Sequence, residues 1–291
     1  MDLSELGANE NIVLSFYWQA RGWGEQPNAD DSLILEFLNP EGDWVRQWGA
    51  SADSITEFAR EEAALASGFL YDGFQFRFIN YGRLSGPYDT WNLDYIYLNA
   101  RANEGVPNQG IVRDIGFGRQ PPQWLQPYTQ MPLVAFLEAG RTKDTLSTTL
   151  RNVRTGGIGD NVTHLFQTKV YANEELVDER EEPAFSVNSD GLESSNGTVF
   201  LREDESIEVS AFPSIDASLL SNADSARIEQ RFFLSENAED LNAVFTKGND
   251  TLLVETEIGN AYAYDDGSAE LGWGINKKFG KFAIEFETPV E

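Results

Sequence analysis

The chain has 291 residues and carries 48 acidic against 21 basic side chains, a formal net charge of −27. A surface this negative repels phosphate backbones and anionic lipid headgroups, which speaks against nucleic-acid and membrane-surface binding. No cysteine and a single histidine, His164, exclude disulfide frameworks, thiolate zinc sites and multi-histidine metal centres, while 41% apolar residues are enough for sizeable cores.

At roughly 100–200 residues per domain, the length predicts two domains. The dominant hydrophobic period along the chain is two. Ile12, Leu14, Phe16 and Trp18 alternate with Asn11, Val13, Ser15 and Tyr17, which predicts a strand. The runs Ser32–Leu38 and Trp44–Trp48 flank Asn39-Pro40-Glu41-Gly42-Asp43, a hairpin pattern. Residues 54–67 have helix-forming composition, but lie among strands and are read as a strand with a local helical turn. Phe74, Phe76 and Phe78 alternate with Gln75, Arg77 and Ile79, with Phe76 as the expected core centre. The strand Trp91–Asn99 has apolar residues on both faces and is expected to be central and doubly covered.

From residue 101 to 130, the breakers Pro107, Gly110, Gly116, Gly118, Pro121, Pro122 and Pro127, among others, predict a linker or crossing segment. A second series of strands follows: Leu133–Leu137, Thr145–Val153, Thr163–Ala172, Thr198–Leu201, Ser206–Phe212, Arg227–Leu234 and Thr251–Ile258. Seven short strands separated by turn residues fit an immunoglobulin-like sandwich. Residues 261–291 read as two more strands, and Gly272-Trp273-Gly274 faintly echoes Gly22-Trp23-Gly24. The predicted fold is therefore all-β. A jelly-roll-like sandwich over 1–100 is followed by the 101–130 linker, an immunoglobulin-like sandwich over 131–260 and a short C-terminal β segment over 261–291.

Several residues are candidates for chemistry. Trp23, Tyr88 and Trp91 flank Gly- and Pro-rich loops, where flat rings stack on sugars and the neighbouring Asp89 bonds to hydroxyls. These four residues form the candidate ligand site; the competing reading is that the rings seal the core. Asp30 with Asp31, or Asp265 with Asp266, are the candidate clusters for a structural calcium ion, the one metal this composition serves. No other cofactor is expected. A carboxylate pair for glycoside hydrolysis would have to come from Asp30, Asp31, Asp89 and Asp94. Asp94 within its apolar strand needs a partner, and Arg77 is the natural ion-pair candidate. His164 on its strand is read as a hydrogen-bonded framework residue, and no catalytic residue is assigned.

The runs SFYWQARGWGEQPNADDSLILEFLNPEGDWVRQWG and FQFRFINYGRLSGPYDTWNLDYIYLN, with the later landmarks Tyr128–Pro132 and Tyr262–Gly274, keep one order along the chain. In these framework motifs the chain resembles the first domain of large β-rich surface and secreted proteins of Bacteroidota, with MAM-like jelly-roll sandwiches. The resemblance implies an exported protein associated with type IX secretion and gliding motility, a group that includes accessory or plug components of the translocon. Its members carry a signal peptide and further strands before the position of Met1, so the chain is expected to be a fragment or processed form, periplasmic, surface-bound or secreted. The expected function is a non-catalytic binding or assembly module whose partner is an envelope protein or a glycan. The alternative is a carbohydrate-binding module from a secreted polysaccharide-degrading enzyme, and a carboxylate-based hydrolase is the third reading. Neither nucleic acid nor membrane insertion is expected.

Overall fold

The computed structural model describes residues 1–7, 11–22, 24–52, 58–83, 88–100, 114–153, 158–235, 244–265, 279–281 and 283–285. They form two compact units, Met1–Ile111 and Val112–Glu291. The protein is almost entirely β-structure.

The first unit contains β1 (Ile12–Ala20), β2 (Ser32–Leu38), β3 (Trp44–Ser51), β4 (Ala59–Ala64), β5 (Phe76–Tyr81) and β6 (Trp91–Ala100). They pair as two antiparallel sheets, β4-β1-β6 and β3-β2-β5. Only β2 and β3 are joined as a hairpin, and each other connection crosses between the sheets, as in a jelly roll. Alternation in β2 puts Leu33, Leu35 and Phe37 into the core, where they meet Leu14, Phe16 and Trp18 of β1. Phe16 packs edge-on to Trp48 and Phe78, each with ring centroids 5.0 Å away. Phe37 does the same with Phe74 at 5.3 Å. The five-residue turn closes through the Asp43 amide, which donates to Asn39 Oδ1 at 2.7 Å, with Gly42 at φ +91°.

Two expectations for this unit change. The strand buried on both faces is β1, the middle strand of its sheet, where Val13, Ser15 and Tyr17 are buried opposite the core-facing row. The Trp91–Asn99 run instead forms β6, on the flank of that sheet, with Asp94 and Ile96 exposed. Asp94 does not pair with Arg77. Arg77 lies between two core-facing phenylalanines on β5, so it points outward, in the other sheet, onto Glu36. Residues 59–64 are the strand β4, and a 3-10 turn follows at Ser67–Phe69.

The second unit contains β7 (Ile115–Phe117), β8 (Gln130–Pro132), α1 (Leu133–Ala139), β9 (Leu146–Asn152), β10 (Asp160–Ala172), β11 (Glu175–Pro183), β12 (Phe185–Ser186), β13 (Thr198–Leu201), β14 (Ser206–Ala211), β15 (Ala226–Leu234) and β16 (Thr251–Gly259). One sheet runs β11-β10-β15-β16-β8, with β13 also on β10, and the other runs β12-β14-β9-β7. β8 joins β16 in parallel, while the remaining named pairs are antiparallel. Apart from the neighbours β10–β11 and β15–β16, consecutive strands lie in different sheets, the arrangement of an immunoglobulin-like sandwich. Leu146, Leu150, Phe166, Ile228 and Phe232 fill the space between.

The predicted strand at Leu133–Leu137 is the helix α1. Its short apolar run does not distinguish the two by periodicity, and its Leu, Ala and Glu content favours a helix, with Leu133, Ala135 and Phe136 buried. The expected linker is also shorter than its Gly and Pro content suggested. Residues 101–113 lie outside the described set, but from 114 onward the segment builds β7 and buries Trp124, Leu125 and Tyr128 in the second core. The C-terminal segment begins by completing this core, since Tyr262 and Tyr264 pack on Tyr128 at 4.8 Å each. Gly272-Trp273-Gly274, and most of the two expected strands there, lie outside the described residues.

Phe74 is 0% exposed, while Phe76 is only partly buried. Phe74→Ala is therefore expected to destabilise the protein by about 3–5 kcal/mol in chemical denaturation. Phe76→Ala is expected to cost less, and equal losses would contradict this packing.

Candidate functional site

Asp89 is the organising residue of the loop end of the first sandwich. It is 1% exposed and has φ +58°, a left-handed conformation that aspartate tolerates better than most residues. Its carboxylate takes a forked bond from Arg83, Nε to Oδ2 at 3.2 Å and Nη2 to Oδ1 at 3.1 Å. The Arg83 amide adds a third bond to Oδ2 at 2.8 Å. Asn80 Nδ2 donates to the Asp89 carbonyl at 3.2 Å, and Asn28 Nδ2 approaches Oδ1 at 3.5 Å. The bonds from Arg83 hold the Asp89 carboxyl below the usual carboxylate range against the opposing effect of burial, and Asp31 beside it adds a smaller contribution. Bonds to Asp89 and Glu25 in turn raise the Arg83 guanidinium.

This pair fixes what surrounds it. Arg83 also reaches Glu25 Oε1 at 3.1 Å, and the Thr90 amide donates to the Glu25 carbonyl at 3.2 Å. Tyr88 stands beside the pair, 47% exposed, with the Arg83 Cζ 5.0 Å from its ring centroid. A solvent-facing ring is thus held against a guanidinium whose position is set by a buried carboxylate.

The four predicted ligand residues part ways here. Tyr88 is on the surface, whereas Asp89 lies beneath it as an anchor. Trp91 packs on the core 6.0 Å from Trp18, so it belongs to the framework. Trp23 lies outside the described residues. Sequence reading missed Arg83, because nothing in its neighbourhood on the chain announces that its charge is matched by Asp89.

Of the calcium candidates, three lie among the described residues. Asp30 is exposed, and Asp31 closes a local turn, its Oδ2 accepting the Asn28 amide at 2.6 Å. The Asp265 carbonyl accepts from Thr129 Oγ1, and Asp266 lies outside the described residues. Among the described residues, no three histidine or carboxylate side chains converge to hold a metal ion. No helix among them is long and apolar enough to cross a membrane.

His164 faces the core of the second sandwich. It is 0% exposed, and its Nε2 shares a 2.8 Å hydrogen bond with the buried Ser186 hydroxyl. Burial pushes its pKa down to about 4, with contact to its own backbone opposing this weakly.

Comparison with known proteins adds little. No protein-family model matches the chain, and no curated protein matches it. Among solved structures, the N-terminal CBM22-1–CBM22-2 tandem domain of Xyn10C from Paenibacillus barcinonensis aligns over 87% of this chain and 81% of its own, with 10% identity and a TM-score of 0.23. AvmM, described as catalysing macrocyclization in alchivemycin A biosynthesis, aligns over 56% of this chain and 94% of its own, with 15% identity and a TM-score of 0.16. At such scores neither likeness carries an argument about function.

Two outcomes follow. Asp89→Ala removes the carboxylate that fixes Arg83, so its melting temperature is expected to fall clearly below wild type, and an unchanged value would show that the loop does not depend on this pair. For His164, the folded pKa of about 4 lies below the unfolded value near 6.5, so the fold favours the neutral ring. Its stabilisation is complete above about pH 6.5 and is lost as the pH falls through 4, at a slope of about 1.4 kcal/mol per pH unit between them. Denaturant titrations of wild type and His164→Gln across pH 4–7 should show that component in wild type alone.

Proposed function

We propose that this chain is a non-catalytic binding module that recognises a glycan through the loop end of its first sandwich. The observation that carries this reading is the exposed Tyr88 ring, set in place by the buried Asp89–Arg83 pair. A ring fixed before the ligand arrives loses little conformational entropy on binding. Its flat face suits the C–H-lined face of a sugar ring, and Arg83 and Glu25 at its side offer donors and acceptors to hydroxyls. The one histidine is buried and bonded to Ser186, and that the module is non-catalytic is part of the proposal. The setting in a bacterial envelope, including a link to type IX secretion, rests on the sequence resemblance and is part of the proposal.

Tyr88 contributes exposed surface, so Tyr88→Ala is expected to keep its melting temperature close to wild type while losing about tenfold or more in retention on a glycan array, the effect of one stacking anchor. Wild type that binds no glycan, or a Tyr88→Ala variant that binds as well as wild type, would overturn the assignment.

A further inference from the structure

The outer face of sheet β3-β2-β5 continues the loop site. Register places Tyr81 of β5 opposite Ser32, and it is 70% exposed, two residues before Arg83. Further along, Ile79 and Gly49 flank Ile34. Beyond them Glu36 lies between two arginines, Arg46 of β3 and Arg77 of β5. A register shift between Leu35 and Glu36 lets Arg46 and Gly49 share this face although they are three residues apart.

Glu36 neutralises only one of its two neighbours. Arg77 holds it, with Nε at 2.8 Å and Nη2 at 2.7 Å from Oε2, and stacks on Trp44 with Cζ 4.1 Å from the ring centroid. Arg46 makes no ion pair among the described residues. It is exposed, and its guanidinium lies over Gly49, where a β-carbon would collide with Nη2. The face therefore carries one uncompensated cation in a chain whose net charge is −27. Register puts Arg46 four residues along β2 from the Tyr81 position, and its guanidinium reaches back over Gly49, opposite Ile34, two residues from that position and on the other side of β2.

We infer that this face binds a linear polysaccharide carrying sparse carboxylates, with a sugar stacked on Tyr81 and a uronate carboxylate on Arg46. The inference rests on the glycan reading above and extends the site from Tyr88 across the sheet. A guanidinium fork is the natural partner of a carboxylate. One free arginine matches one carboxylate, while a chain charged at every sugar would meet the acidic surface around it. Ile34 and Ile79 form the floor on which the chain lies between the two contacts.

The test is affinity gel electrophoresis of the full chain at low salt. The gels hold deacylated gellan (one uronate per tetrasaccharide repeat), neutral hydroxyethylcellulose or polygalacturonate (one uronate per sugar). Gellan is expected to retard wild type most strongly, and added salt to weaken that retardation. Arg46→Gln should lose about tenfold or more on gellan, the effect of one charge-assisted contact, and fall to the hydroxyethylcellulose level without loss of thermal stability. Gly49→Ala, which displaces Arg46 but keeps its charge, should lose affinity in the same direction. Gellan binding that is unaffected by Arg46→Gln, or matched by either of the other two polymers, overturns the inference. Tyr88-dependent binding to the neutral polymer would still support the wider glycan reading, whereas no retardation in any gel would sink both.

Discussion

The alternation of β2 is the constraint on which the first sandwich depends. Leu33, Leu35 and Phe37 must face the opposite sheet, because their burial with Phe16 and Trp18 is what joins the two sheets. Once they do, Ile34 and Glu36 have no freedom to face anywhere but outward. The strand fixes its partners in the same way. Phe78 follows Leu35 into the core, so Arg77 and Ile79 share the outer face with Glu36 and Ile34. The surface offered to a ligand is thus a by-product of the packing beneath it. At the end of β5 the same chain turns into Arg83, where the anchor becomes ionic. Asp89 cannot stay charged at 1% exposure without a partner, and Arg83 supplies it from six residues away.

The second sandwich is built on the same rule but uses its polar residues differently. Its inward row on β10 includes His164 among Val162, Phe166 and Val170, and the ring is accommodated by a hydrogen bond to Ser186 on the facing sheet. The stability of this core is therefore expected to fall in acid, while its histidine is buried away from the surface.

Much of the fold was legible in the sequence because a period of two leaves few alternatives. The hairpin at Asn39–Asp43, the strands from Ser32 to Leu38 and from Arg227 to Leu234, and the succession of two sandwiches all follow from that pattern. The departures have physical causes. Leu133–Leu137 is apolar and too short for its period to be read, so helix propensity decided it. Trp91–Asn99 is apolar on both faces, yet burial depends on a strand's place within its sheet, which no local pattern states. The 114–130 segment is rich in breakers, but Trp124 and Tyr128 between them carry enough apolar surface to be drawn into the core. The candidate site was only partly legible. Loop composition identified Tyr88 and Asp89 but could not tell the exposed ring from the buried anchor. The Arg83 partnership, and an Arg46 with no ion pair among the described residues beside a paired Arg77, appear only when strands distant in sequence come into register.

The central claim is that ligand binding belongs to the outer surface of the first sandwich, from Tyr88 to Arg46. The most direct test is a two-dimensional NMR titration of the full chain with gellan oligosaccharides, following tryptophan indole and arginine side-chain signals. The account predicts saturable shifts at Arg46, Arg83 and the outward-facing Trp44, with Trp18 and Trp48 in the core and Trp124 in the second sandwich unmoved. Shifts confined to the second sandwich, or none at saturating ligand, would contradict it.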